Sequence, residues 1–480
     1  MLPRQWIGLP AGPVLAAIVR LILPDSLSAD GKNVAAVAVV MAVWWMTEAI
    51  PLPATALVPL VAFPFLDIAP LSEAAGPYAS DTIFLFLGGF TIALAMQRWN
   101  LHVRFALATV MVVGTSPVRM IGGFMLATGL LSMWISNTAT AVMMLPMGIA
   151  VLGLVAQLGD GKRAPNFATA LMLGIAYAAS VGSFATIIST PPNAFLREYM
   201  QNEHDISIGF FQWMMFGVPL SLTFLVLIWL VLTRLVFRPE IKEIPGGREM
   251  IEERRRELGP MSFAEKMVLV VFVSAALAWV LVPQLENLWA WPAALGDSGV
   301  AICAALLMLT LPARRDGGRR LLVWEDTKEL PWGILLLFGG GLSLSAQFGA
   351  TGLSEWVGDQ VSALEAIPTL LLVFAILVLV LALTELTSNT ATAATFIPIV
   401  GGVALGFGLD PMLLVLPVAL AATCSFMLPV ATPPNAIVFS TGHVTIGQMV
   451  KGGAVLNVLS LVLVTLATYS LGAWVFGYAL

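Results

Sequence analysis

The sequence predicts an all-α polytopic membrane protein made of two repeats of inverted topology, with about eleven transmembrane helices and two re-entrant hairpins. Three observations carry that expectation. Hydrophobic residues make up 59% of the chain, charged residues 11%, and the mean hydropathy is +0.93, so most segments need the bilayer as their solvent. The stretch Ser136-Asn137-Thr138-Ala139-Thr140 is written again as Ser388-Asn389-Thr390-Ala391-Thr392, 252 residues later. Likewise Thr190-Pro191-Pro192-Asn193 returns 242 residues on as Thr432-Pro433-Pro434-Asn435, and Gly89 to Gln97 matches Gly339 to Gln347 at a spacing of 250.

In chain order, apolar runs at 7–24, 34–50, 54–66 and 81–97 read as four spans joined by turns containing Pro, Gly and Asp. The first run lacks a small-residue cleavage site and reads as a span, not a removed signal. Arg98, His102 and Arg104 recur at helical spacing over 98–113, which predicts an amphipathic surface helix. The following run, 120–135, has 16 residues. A helix of that length spans about 24 Å, short of the ~30 Å hydrocarbon core.

If the charged turns at Arg119 and at residues 159–163 share one side, the segment between them is a hairpin with Ser136 to Thr138 at its tip. Re-entrant backbone is tolerated at that depth only when buried in protein or lining a cavity. The run from Phe167 is broken at Thr190 to Asn193, and a further span covers 209–236. The second unit repeats the order: spans at 267–283, 298–312 and 331–347, a hairpin over 368–406, a break at Thr432 to Asn435, and a last span at 452–478. The domains expected are an N-terminal span (1–33), a first repeat (34–237), a charged cytoplasmic linker (238–266) and a second repeat (267–480). With the amino terminus cytoplasmic and the carboxyl terminus external, all of the 23 Lys and Arg residues except Arg20, Lys32 and Arg197 fall in cytoplasmic segments, as the positive-inside rule expects. The second repeat then enters with the opposite orientation.

A helix-breaking polar cluster inside an apolar run is a sequence pointer to a transported ligand. Ser, Asn and Thr offer neutral oxygens for Na⁺ and donors for an anion, and an unwound tip frees carbonyls as well. The helices that start after each Ser-Asn-Thr and at each Pro-Pro aim four positive ends at the breaks. No Lys or Arg adjoins any of the four clusters, so a bound anion would be balanced by helix dipoles and co-bound cations. One such cluster alone would serve equally well as an interhelical hydrogen-bonding site; four in register favour a ligand.

The doubled Ser-Asn-Thr and Pro-Pro-Asn motifs, with Trp44-Trp45-Met46-Thr47-Glu48-Ala49-Ile50-Pro51, resemble the divalent anion:sodium symporter family over nearly the whole chain. That resemblance implies a bacterial inner-membrane homodimer working as an elevator, in which a scaffold holds the dimer and both hairpins and broken spans move. It implies one Na⁺ site around Ser132, Ser136, Asn137 and the Ser189 carbonyl, and another around Thr384, Thr387, Asn389 and the Ala431 carbonyl. Substrate would meet Ser136, Asn137, Thr138, Thr190, Pro191, Ser388, Asn389, Thr390, Thr432 and Pro433. Relatives often carry Gly where Ser189 stands. The substrate expected is a C4-dicarboxylate, with Na⁺/sulfate symport or Na⁺-independent exchange as alternatives. Na⁺ is the expected co-transported ion, with no organic cofactor and no nucleic-acid partner.

Other candidates are weaker. Glu48 and Glu385 are intramembrane carboxylates, functional by default or else structural partners of nearby helix ends. Gln97 and Gln347 are expected to tie helices together, and Cys303 and Cys424 read as small core residues. His102, His204 and His443 lack metal-ligand spacing. Arg254 to Arg256 alternate with Glu252, Glu253 and Glu257 as on a solvated helix. An intramembrane enzyme would need a base near Gly341-Leu342-Ser343, and no His stands there. A channel would need an open polar path.

Overall fold

The computed structural model describes residues 3–114, 116–158, 164–241, 243–244, 246–285, 295–315, 317–362 and 367–479. The charged turn expected at residues 159–163 lies outside them. Helix is the regular structure throughout, because in an apolar solvent each backbone N–H and C=O must find its partner within the segment. Eight helices among the described residues are long and apolar enough to cross a membrane: Gln5–Ile22, Leu71–Arg98, Asn137–Ala156, Phe210–Val236, Phe263–Val282, Trp332–Ala350, Asn389–Gly406 and Ile446–Phe476. The other expected spans are shorter or less apolar helices, including Ala29–Thr47, Pro165–Gly182 and Gly296–Thr310.

Element order repeats along the chain. Asp81–Arg98, Leu101–Val113, Pro117–Ser132, Asn137–Leu158, Pro165–Gly182, Pro191–His204 and Phe210–Leu230 are matched in turn by Trp332–Ala350, Leu353–Ser362, Thr369–Thr384, Asn389–Gly406, Pro411–Thr423, Pro433–Phe439 and Ile446–Ala467. Even a local irregularity recurs: the last helix of each unit widens into π geometry, at Val231–Val236 and at Thr468–Gly472. Leu353–Ser362, the counterpart of the expected surface helix, has no separate place in the sequence reading.

Local chemistry sets the boundaries. Ser28 caps Ala29–Thr47 by accepting from the Gly31 amide at 2.9 Å, and Glu48 ends the helix in left-handed geometry (φ 51°) ahead of Pro51. Each hairpin tip is four residues, 133–136 and 385–388. Small residues let the elements approach. A Cβ on Gly182 would lie 2.5 Å from the Gly129 carbonyl oxygen, so the hairpin helix Pro117–Ser132 and the broken span Pro165–Gly182 meet backbone to backbone.

Two expectations are corrected. The helix Leu101–Val113 is not simply a surface element: Leu101, His102, Ala106, Leu107 and Val110 are buried, and the His102 ring nitrogen lies 3.1 Å from the Met96 carbonyl. The linker helix Gly247–Glu257 packs against it, with Ile251 buried and Arg255 reaching the Met111 sulfur, while Phe105 and Val112 stay exposed. Cys303 is exposed, unlike Cys424, because an apolar residue in a span can face lipid as readily as the core. Gln347 does tie helices together, donating to Glu73 at 3.0 Å, and Ser343 donates to the Ala74 carbonyl at 2.8 Å. That bond gives Ser343 a packing role in place of the nucleophile considered from sequence.

Candidate functional site

Helices starting at Asn137, Pro191, Asn389 and Pro433 all contribute their first residues to one cavity of about 670 Å³. Its wall includes Ser136, Asn137, Thr138, Ser189, Thr190 and Pro191 from the first unit. From the second come Thr387, Ser388, Asn389, Thr390, Ala431, Thr432 and Pro433. Motifs 242–252 residues apart in sequence thus face a single space. Ser132 and Thr384 lie just behind the wall, fully buried. Glu48 is the one charged side chain among the lining residues, so no cationic group opposes an anion there.

The four helix starts are not equivalent donors. Proline carries no N–H, so Pro191-Pro192 and Pro433-Pro434 remove two donors from each of their helices and leave the Thr190 and Thr432 hydroxyls and the helix dipole. Backbone N–H groups come instead from the helices that follow Ser-Asn-Thr. Ser136 Oγ accepts from the Ala139 amide at 3.3 Å and Thr432 Oγ1 from the Asn435 amide at 3.3 Å, so both hydroxyls double as helix caps.

Each hairpin docks on its broken span through one hydroxyl. Ser132 donates to the Ala179 carbonyl at 2.5 Å, and Thr384 to the Ala422 carbonyl at 2.6 Å. Beside Thr384, three side-chain oxygens cluster: Asn389 Oδ1 is 3.0 Å from Thr384 Oγ1, and Ser425 Oγ is 3.0 Å from Thr384 Oγ1 and 3.3 Å from Asn389 Oδ1. A group of neutral oxygens this tight suits a small hard cation. Thr387 is turned away from it, with its hydroxyl 2.9 Å from the Leu383 carbonyl and 2.8 Å from Thr392. Asn137 also differs from Asn389: its Oδ1 accepts from the Thr138 amide at 2.7 Å.

Sequence reasoning missed the residues that hold the breaks. Asn193 donates from Nδ2 to the Ser183 and Thr186 carbonyls at 3.0 and 2.9 Å. Asn435 does the same to Ser425 and Leu428, at 3.0 and 3.1 Å. Both asparagines are fully buried, and all three pairs of equivalent residues share the 242-residue spacing. That spacing is the signal that could have found Ser425 as well. Ser189 Oγ lies within hydrogen-bond reach of the same two carbonyls as Asn193, at 2.5 and 2.8 Å, with one O–H to give to either, whereas its counterpart is Ala431. Across the units, Tyr177 OH donates to the Phe426 carbonyl at 2.8 Å, linking one broken span to the other.

Glu385 has a structural role, one of the two open to it from sequence, but its backbone partners are amides of the loop that follows Pro411–Thr423 and not a helix end. Its oxygens accept from the amides of Phe426 (2.8 Å), Met427 (3.0 and 3.1 Å) and Leu428 (3.1 Å), and from Asn457 Nδ2 (2.8 Å).

A many-helix chain that interrupts its membrane helices in pairs, and turns every interruption toward one shared polar cavity, is a multi-pass membrane transporter. The chain belongs to the family described as the sodium:sulfate symporter transmembrane region, whose sequence model matches residues 5–478. It is 41% identical over 473 residues to the sodium-dependent dicarboxylate transporter SdcS of Staphylococcus saprophyticus, covering 97% of this chain and 91% of that one. The SdcS of Staphylococcus aureus matches at the same identity and coverage. Two solved structures share the fold at 13% identity. They are the YdaH transporter of Alcanivorax borkumensis (TM-score 0.55, 90% of this chain and 98% of that one) and MtrF of Neisseria gonorrhoeae (TM-score 0.56, 97% and 93%). The chain is a transporter, not an enzyme.

Proposed function

We propose that the protein is a secondary active transporter that carries a C4-dicarboxylate such as succinate, fumarate or malate inward together with Na⁺. One observation carries the reading: the cavity is walled by both Ser-Asn-Thr motifs and both Thr-Pro-Pro motifs, with no Lys, Arg or His among its lining residues. A dianion there would be held by Ser136, Asn137, Thr138, Ser388, Asn389 and Thr390 and by the Thr190-Pro191 and Thr432-Pro433 helix starts. Its charge would be offset by helix amino termini and by Na⁺ taken up with it. A cavity of about 670 Å³ with a motif from each half in its wall has room for a four-carbon dianion. The SdcS relatives are named for the same chemistry.

For Na⁺ the oxygens to hand are those of Ser132, Ser136, Asn137 and the Ser189 carbonyl in one half. In the other they are Thr384, Asn389 and the Ala431 carbonyl, joined by Ser425, while Thr387, bonded to Leu383 and Thr392, would have to turn to join them. The remaining parts of the reading are inverted orientation of the two repeats, a bacterial inner-membrane homodimer with a cytoplasmic amino terminus, and an elevator in which hairpins and broken spans move against the rest. The binding half is tested on detergent-purified protein by thermal unfolding. Succinate raises the unfolding temperature in NaCl and not in choline chloride, while sulfate does not. Stabilisation by sulfate alone would reassign the substrate, and equal stabilisation by succinate in choline would make the protein a Na⁺-independent exchanger.

A further inference from the structure

The two breaks are built differently, although their sequences repeat. In the first, the chain leaves Pro165–Gly182 through local turns: the amides of Phe184 and Ala185 donate to the Val181 and Gly182 carbonyls, both at 3.2 Å. Among the described residues, the hairpin bonds to this loop through the Thr186 hydroxyl, which donates to the Met133 carbonyl at 2.5 Å. At the position 252 residues after Met133 stands Glu385. Its carboxylate gathers the amides of Phe426, Met427 and Leu428, the equivalents of Phe184, Ala185 and Thr186. All five contacts to its oxygens come from N–H donors, the pattern of an ionised carboxylate, which only accepts. The residue is 6% exposed, so this charge is held by hydrogen bonds and not by water.

We infer that Glu385 is a positioning residue that makes the second-half Na⁺ site tighter than the first. This rests on the proposed Na⁺ coupling. Two effects converge. By clamping 426–428, the carboxylate fixes the adjoining Ser425, whose hydroxyl lies 3.0 Å from Thr384 Oγ1 and 3.3 Å from Asn389 Oδ1. It also places a fixed negative charge on the residue next to Thr384, in surroundings that screen it little. The first half has Met133 in its place and neither effect.

The test uses the purified protein without substrate. Na⁺ is titrated against thermal unfolding for wild type, Glu385→Gln and Met133→Gln. In parallel, deuterium uptake is followed in a peptide covering residues 424–432. Glu385→Gln keeps the side-chain shape while removing the charge and one acceptor. It raises the Na⁺ midpoint on the order of tenfold or more and speeds exchange at 426–428, while Met133→Gln moves the midpoint less than about twofold, as a substitution outside such a network does. Asn457→Ala, which removes one bond to the carboxylate, shifts the midpoint in the same direction by less. An unchanged midpoint in Glu385→Gln, or an equal shift in Met133→Gln, overturns the inference. If Na⁺ fails to stabilise even the wild type, the proposed coupling falls and the cation half of the inference with it. Exchange at 426–428 then decides the clamp alone, and an unaltered rate in Glu385→Gln overturns that too.

Discussion

Replacing Asn435 by alanine should damage the protein more than the same change at Asn193, although the two positions are repeat equivalents. In the second half the Asn435 amide is the side-chain donor to the Ser425 and Leu428 carbonyls. Leu428 keeps a backbone bond from the Ala431 amide at 3.3 Å, but Ser425, itself fully buried, loses its donor. One orphaned carbonyl plus one lost hydrogen bond amounts to about 2–4 kcal/mol. In the first half, Ser189 Oγ already reaches both carbonyls that Asn193 serves, so Asn193→Ala costs about 1–2 kcal/mol. Adding Ser189→Ala to Asn193→Ala should bring the first half down to the level of Asn435→Ala, because Ala431 is what the second half carries there. Thermal unfolding of wild type and the three variants in detergent with saturating Na⁺ gives the order directly. Equal loss in the two single asparagine variants, or no further loss on adding Ser189→Ala, would refute the reasoning.

Asn137→Ala and Asn389→Ala should each abolish uptake while the purified protein keeps its size-exclusion profile; normal uptake by either removes the shared-cavity account. Ser189→Gly should leave Na⁺ dependence intact, since Asn193 still donates to Ser183 and Thr186; loss of Na⁺ stimulation would show that the hydroxyl itself is a ligand. Gly182→Ala should cost about 1–3 kcal/mol by overpacking, because its Cβ would lie 2.5 Å from the Gly129 carbonyl, and an unchanged unfolding temperature would contradict that close approach. Arg197, buried and 3.3 Å from Asp297 and 3.7 Å from Asp81, should lose about 3–5 kcal/mol on change to leucine. Adding Asp297→Asn should restore part of that; a double variant worse than the single would argue against a shared buried charge pair.

Much of this architecture is legible in the sequence because apolar runs and breakers are local signals. The Ser-Asn-Thr and Pro-Pro-Asn repeats name the residues at which helices start, and the helices do begin at Asn137, Pro191, Asn389 and Pro433. Contacts to the backbone are where the sequence falls silent. Glu385 binds amides about forty residues away, and nothing about Phe426, Met427 and Leu428 as residue types announces a carboxylate partner. Asn193 and Asn435 stand inside motifs that were noticed, yet their work is done on carbonyls, which every residue has. The 252- and 242-residue spacings could have exposed both, since they pair Glu385 with Met133 and Ser189 with Ala431, and each mismatch marks a place where the halves are built differently. Cys303 was misread because hydrophobicity cannot separate a lipid-facing side chain from a core one when both are apolar, and Leu101–Val113 because the spacing of Arg98, His102 and Arg104 marks a polar stripe without revealing that His102 is buried.

The central claim is that one cavity, shared by two repeats and lacking cationic side chains, needs Na⁺ to carry a dianion. Uptake of radiolabelled succinate into proteoliposomes tests it most directly, with an inward gradient of Na⁺ or of choline and with empty or succinate-loaded vesicles. Accumulation in empty vesicles only under the Na⁺ gradient, blocked by malate and not by sulfate, is the predicted result. Equal uptake in choline that depends on internal succinate would contradict it.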